Sequence, residues 1–203
     1  DNVQIGSGSF TSFFSQLSQG VCPVIEEISM NHCGLIGSDM DAFSLFLLTP
    51  FAESLRILDF GNNIGITATL LQFFQCLSEC GCKNLEVLNL EGVNLGKEVI
   101  SQIVQWLEKA TLSHFHSLLL NNNCLDESCF YSLLKGILHS SIHDMNVLDI
   151  SSNLIGELNV KIWEQLVYKH SSNSLSIQHI DFSHNPLTNE DMKIISLFLQ
   201  NHI

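Results

Sequence analysis

Six times along the chain, apolar side chains occupy the first, fourth and sixth positions of an eleven-residue segment, with polar residues set between them. The segments begin at residues 25, 55, 85, 115, 145 and 177 and read IEEISMNHCGL, LRILDFGNNIG, LEVLNLEGVNL, FHSLLLNNNCL, MNVLDISSNLI and IQHIDFSHNPL. All 18 residues at those three positions are apolar, from Ile25, Ile28 and Met30 through Ile177, Ile180 and Phe182. In a chain that is 45% hydrophobic, chance alone gives this roughly once in a million for a fixed register. Period-2 alternation is the signature of a short strand with one buried face, so each segment predicts one strand.

The ninth position is Asn in four segments: Asn63, Asn123, Asn153 and Asn185. A side-chain amide both donates and accepts, so a buried Asn can satisfy backbone groups left unpaired where the chain bends away from a strand. Stacked units turn these into a ladder. Cys33 and Val93 break the rule, and Val cannot pair, so the ladder is expected to be weakest at the third segment.

Between the strands lie stretches with helical spacing. They are Phe10, Phe13, Phe14, Leu17; Leu70, Phe73, Phe74, Leu77; Ile100, Ile103, Val104, Leu107; Leu133, Leu134, Ile137, Leu138; Val160, Trp163, Val167; and Ile194, Ile195, Phe198. Asp126-Glu127 and Asn189-Glu190-Asp191 suit the positive end of a helix. Pro23, Pro50 and Pro186 fall between elements, where no ladder or helix bond is lost. Helices pack ~8 to 10 Å apart and parallel strands ~4.8 Å apart, so joining one of each per unit bends the stack, with the strands inside.

The motif L-x-x-L-x-L-x-x-N-x-L followed by a full helix resembles the ribonuclease-inhibitor-like group of leucine-rich repeat proteins, over nearly the whole chain. The resemblance implies an α/β solenoid, a horseshoe with a parallel concave β-sheet and convex α-helices, as a single leucine-rich repeat domain over residues 1–203. Residues 1–24 form a partial repeat, and the complete repeats start at the six positions above. Thirty residues before Ile25 the register places Val3 and Ile5 at the ninth and eleventh positions of a repeat without its strand. The apolar helix Met192 to Leu199 is followed by no polar capping unit. Both features predict a fragment of a longer chain. The group carries no single activity: it includes inhibitors, innate immune receptors, actin regulators, a GTPase-activating protein and ciliary proteins.

Charge narrows the expected partner. The formal net charge is −13, from 21 Asp and Glu against 8 Lys and Arg, which speaks against nucleic acid or an anionic membrane. The second, third, fifth, seventh and eighth positions project into the concave space. They carry Glu26, Glu27, Asp59, Glu86, Glu91, Asp149 and Asp181 against Arg56 alone, a net of −6 on 30 residues. The candidate partner-binding residues are therefore Glu27, Asp59, Glu86, Glu91, Asp149 and Asp181, expected to meet a basic or mixed protein surface. Asp at the fifth position also serves solubility and sheet-edge pairing in such repeats, a competing explanation. A second candidate is an apolar stretch of Ile57, Val87, Val147 and Leu119, although strand propensity alone also favours Val and Ile there. No Trp, Tyr or Phe occupies these positions, against carbohydrate or single-stranded nucleic acid as ligand. Trp106 and Trp163 fall at core spacing in helices.

No catalytic motif emerges. Phosphate-loop, Gly-x-Ser-x-Gly and His-Glu-x-x-His patterns are absent, and Gly6-Ser7-Gly8-Ser9 reads as a short flexible connection. Cys76, Cys80 and Cys82 lack a fourth ligand for zinc and read as buried thiols. His32, His116, His179 and His184 fall in three different segments with no ligand spacing. Seven cysteines, an odd number, and no Asn-x-Ser/Thr acceptor suit a reduced, cytoplasmic or nuclear protein. The expectation is a non-catalytic protein interaction scaffold without cofactor or metal, its oligomeric state left open. The alternative is a sensing or autoinhibitory repeat segment of a larger receptor or regulatory enzyme.

Overall fold

A computed structural model describes residues 9–80, 82–169 and 176–202. Val3, Ile5 and Gly6-Ser7-Gly8 lie outside the described residues, as does the side chain of Val167. Strands and helices alternate along the chain in the order α1 (Ser9–Leu17), β1 (Glu27–Ser29), α2 (Gly37–Leu47), β2 (Ile57–Asp59), α3 (Leu70–Glu79), β3 (Val87–Asn89), α4 (Lys97–Lys109), β4 (Ser117–Leu119), α5 (Glu127–His139), β5 (Asp144–Asp149), α6 (Val160–Lys169), β6 (Ser176–Asp181) and α7 (Asn189–His202). The six strands form one open sheet, all parallel, in the order β1-β2-β3-β4-β5-β6. β1 to β4 fall inside the first four alternating segments, β5 and β6 begin one residue ahead of the last two, and no helix of the described residues is long and apolar enough to cross a membrane.

The register is uniform. Ile28 pairs with Leu58, Leu58 with Leu88, Leu88 with Leu118, Leu118 with Leu148 and Leu148 with Ile180, so each apolar residue stands beside its own equivalent. The first five of these are buried, and Ile180 on the last strand is half-buried. Behind the sheet, aromatic rings carry packing from one unit to the next. Phe14 meets Phe43 at 5.0 Å, Phe43 meets Phe60 at 4.9 Å, Phe74 meets Trp106 at 5.9 Å and Trp106 meets Phe115 edge-on at 5.2 Å. Trp163 continues the series against Phe130 at 5.2 Å and Phe198 at 6.1 Å. Both tryptophans are core residues.

The helical stretches read from spacing correspond to α1, α3, α4, α5, α6 and α7, but their outermost residues differ. Phe13 and Val160 are exposed, because the buried face of α1 runs through Phe14 and Leu17 and that of α6 through Trp163 and Leu166. α2 has no clear stripe in the sequence. Met40, Ala42, Phe43, Phe46 and Leu47 are all buried, together with Asp39 and Ser44, since α1 and α3 flank the helix while the sheet backs it. Asp39 is reconciled to burial by accepting from the Thr11 N–H and hydroxyl, both at 2.7 Å, and from the Ile36 N–H at 3.2 Å.

The ninth-position asparagines form the ladder that their chemistry predicts. Asn123 Oδ1 accepts from the N–H groups of Val93 and Leu95 in the preceding unit, at 3.0 and 3.2 Å. Its Nδ2 donates to the carbonyls of Leu90, Leu120 and Asn121. Asn63 and Asn153 repeat the pattern toward their own predecessors, and Asn185 does so with the single N–H of Ile155. The rung between the second and third units is missing, because Val93 stands there, fully buried. At that junction the strand exit winds into a 3-10 turn over Ile64–Thr69, and the Thr67 hydroxyl donates to Val93 O at 2.5 Å.

Every unit also places its eighth-position residue in the left-handed region: His32, Asn62, Gly92, Asn122, Ser152 and His184, with φ between 54° and 60°. Asn and Gly adopt this conformation with the least strain, which accounts for three of the six.

Asn123→Leu strands two buried N–H groups and three carbonyls, and is expected to cost about 3 kcal/mol or more. Asn185→Leu, at a half-buried position in the last unit, is expected to cost less. Urea denaturation followed by far-UV circular dichroism measures both. Equal losses would contradict a burial-dependent ladder.

Candidate interaction surface

The residues between the buried positions of β1 to β6 point away from the helices and form three rows across the sheet. In the second-position row, Arg56 lies between two acids. Its Nε and Nη2 reach Glu86 Oε1 and Oε2 at 2.8 and 3.1 Å, and its Nη1 reaches Glu26 Oε2 at 3.1 Å. His116 Nε2 follows, 3.9 Å from Glu86, while its Nδ1 contacts the Ser117 hydroxyl at 2.8 Å. The Arg56 hydrogen bonds hold the Glu86 carboxyl below the usual glutamate range.

The third-position row reads Glu27, Ile57, Val87, Ser117, Val147 and His179. Ile57 and Val87 are neighbours, but buried Ser117 separates them from Val147. Leu119 lies in the fifth-position row, between Asn89 and Asp149. The four apolar residues are all half-buried, so they form a pair and two outliers on one face and not an unbroken stripe.

The fifth-position row reads Ser29, Asp59, Asn89, Leu119, Asp149 and Asp181. Four of these side chains turn back on their own backbone. Asp59 Oδ1 accepts from Gly61 N–H at 3.0 Å, Asn89 Oδ1 from Glu91 N–H at 2.9 Å, Asp149 Oδ1 from Ser151 N–H at 3.0 Å and Asp181 Oδ1 from Ser183 N–H at 2.8 Å. These Asx turns satisfy the N–H that leaves the ladder at each strand exit. Asp59 is further engaged by Asn31 Nδ2 at 3.1 Å and the Ser29 hydroxyl at 3.4 Å. Bonding to Ser183 holds the Asp181 carboxyl below the usual aspartate range, helped by His179 and His184.

The seven acids read from the sequence as one negative face are thus of three kinds. Glu26 and Glu86 share the single charge of Arg56, Asp59, Asp149 and Asp181 brace strand exits, and Glu27 and Glu91 carry no side-chain partner among the described residues. The turn role of the fifth position went unread, although the alternation of Asp and Asn there, against Ser and Leu elsewhere, is its sequence trace. Among the described residues no three His, Cys, Asp or Glu side chains converge to hold a metal ion. No protein-family model matches the chain, and no curated protein matches it.

Because its folded-state pKa is depressed, the Glu86–Arg56 pair supports the fold above the ordinary glutamate pKa, and that support fades as pH falls through the depressed value. An NMR pH titration of side-chain carboxyls is expected to show Glu86 titrating below the usual glutamate range, and Arg56→Met is expected to raise it toward that range. An unmoved Glu86 midpoint would remove the bridge as the cause.

Proposed function

We propose that this chain is a leucine-rich repeat horseshoe of the ribonuclease-inhibitor-like kind, acting as a non-catalytic scaffold that binds a protein partner on its concave sheet. The observation that carries the reading is the sheet itself. Six parallel strands in sequential order present three continuous rows of side chains on the face opposite the helices, in a fixed register. A surface so repetitive and rigid costs little entropy when a partner docks. Such an arrangement suits recognition better than chemistry, which requires a few convergent groups.

The partner is a protein with a basic or mixed surface. Glu27 and Glu91 offer free carboxylates, and the three turn-forming aspartates keep negative charge on the same face. Ile57, Val87, Val147 and Leu119, half-buried between them, supply the apolar contacts that a desolvated interface centre needs. Seven free cysteines fit a reducing compartment, the cytoplasm or the nucleus.

Asn89 shows how to test the charge without breaking the turn, because an amide oxygen there accepts the same backbone N–H. The triple variant Asp59→Asn, Asp149→Asn, Asp181→Asn is expected to unfold within about 1 kcal/mol of the parent while losing most of its basic partners in a pull-down read by mass spectrometry. Undiminished recovery with intact folding would eliminate the acidic contribution. Val147→Lys in parallel probes the apolar one.

A further inference from the structure

Asn89 is explained by neither the ladder nor the turns. It is 8% exposed, and its Oδ1 accepts from Glu91 N–H at 2.9 Å, but its Nδ2 finds no acceptor among the described residues. The other buried asparagines, Asn63, Asn123 and Asn153, each donate from Nδ2 to three carbonyls. A buried donor left unpaired destabilises the fold until something accepts from it. At the equivalent position Asp59, Asp149 and Asp181 close the same turn and have no N–H to strand. The turn alone therefore does not call for asparagine at residue 89.

Two glycines leave the space beside this amide unfilled by any side chain of their own. A Cβ on Gly61 would stand 3.3 Å from Asn89 Nδ2 and 3.3 Å from Asp59 Oδ1, and a Cβ on Gly92 would stand 2.6 Å from Asn62 Oδ1. That Asn62 oxygen has no donor among the described residues, although Nδ2 of the same side chain donates to Asn31 Oδ1 at 3.1 Å. Glu91 precedes Gly92 and follows Gly61 in the seventh-position row, where its backbone carbonyl accepts from Asn62 N–H at 2.6 Å. It is half-buried, and its carboxylate has no side-chain partner among the described residues.

Three unmet groups thus gather at the strand exits of the second and third units: a donor on Asn89, an acceptor on Asn62 and a carboxylate on Glu91. Their needs differ, which narrows what can satisfy them together. A metal ion suits the carboxylate and the Asn62 oxygen but not the Asn89 N–H. A phosphate suits Asn89 but is repelled by Glu91 and by the net charge of −13. One basic residue of an extended polypeptide answers all three, because it brings a main-chain carbonyl, a main-chain N–H and a cation together.

We propose that the strand exits over Gly61 and Gly92 form a subsite that seats one basic residue, lysine or arginine, from an extended segment of a partner protein. The partner's main-chain carbonyl accepts from Asn89 Nδ2, a main-chain N–H of the same segment donates to Asn62 Oδ1, and the side-chain cation meets Glu91. This subsite belongs to the concave-sheet reading above and depends on it. Backbone hydrogen bonds anchor the partner at the second and third units, and charge selects which residue is seated. Glycine at residues 61 and 92 keeps both amides uncrowded.

The probe is a blocked neutral pentapeptide with one central lysine, acetyl-Gly-Ser-Lys-Ser-Gly-amide, titrated into the isotope-labelled whole chain at low ionic strength and followed by NMR. Saturable shifts are expected at the Asn89 side-chain amide and at the Glu91 and Gly92 backbone N–H groups. Norleucine in place of the lysine is expected to bind about tenfold more weakly. Asn89→Asp keeps the turn oxygen, removes the donor and adds a negative charge, so the subsite predicts about tenfold weaker binding, whereas attraction to a negative face alone predicts tighter binding. Tighter binding to Asn89→Asp, or shifts in the unsubstituted chain confined to the Asp149 and Asp181 units, would overturn the subsite and leave the acidic face standing. Silence from every concave row would end both. The shift map uses the unsubstituted chain, so it decides whatever the folding of the variant.

Discussion

Pairing each strand with its own equivalent, 30 residues on at the first four steps and 32 at the last, is the constraint from which the other features follow. A single buried asparagine would be a poor choice for a protein interior, since an unpaired amide costs several kcal/mol to desolvate. Here the register delivers two N–H groups of one unit to the amide oxygen of the next, and carbonyls from both units to its nitrogen. The polar group is thereby fully satisfied, and it fixes the offset between units, because a slip of one residue would separate all three partners in the preceding unit. The same offset lines up leucine on leucine in the core and places Glu26, Arg56 and Glu86 in one row on the opposite face. Structure and surface chemistry are therefore set by one repeat distance.

That distance is also why so much of the architecture was legible in the sequence. The buried strand residues, the six-strand count and the asparagine ladder all derive from position within a fixed period, which needs no knowledge of distant contacts. The helix over Gly37–Leu47 was not legible. Its apolar residues occupy most of its circumference, because neighbouring helices and the sheet enclose it, and periodicity is informative only when one side faces water. The left-handed eighth position was missed for a different reason. His32, Ser152 and His184 share it with Asn62, Gly92 and Asn122, so residue identity alone signals the backbone conformation in only half of the units.

The surface reading shows where counting charges stops being physical. Asp59, Glu86 and Glu27 weigh the same in a net charge, yet one accepts from a turn amide, one is clamped by a guanidinium and one faces solvent. An interface made from them presents very different desolvation costs to a partner. Removing water from Glu86 means covering an ion pair that already exists, whereas Glu27 must gain a partner to offset its own desolvation. The negative face is consequently patchier than its composition, with usable charge concentrated at Glu27, Glu91 and the outward oxygens of the three turn aspartates.

Three departures from the repeat meet at one junction. Arg56, Val93 and the Ile64–Thr69 turn all belong to the second and third units. Repeating residues answer to stacking, which every unit needs equally, so they carry little that distinguishes one repeat protein from another. Residues that break the rule at one junction forgo that shared stabilisation, and something local must compensate. At this junction the compensation is visible in two places: the Arg56–Glu86 ion pair at the open face and the Thr67 contact to Val93 at the strand exit. A junction held by these particular contacts in place of a common amide ladder is one whose stability can be changed separately from that of its neighbours, by ionic strength at the open face.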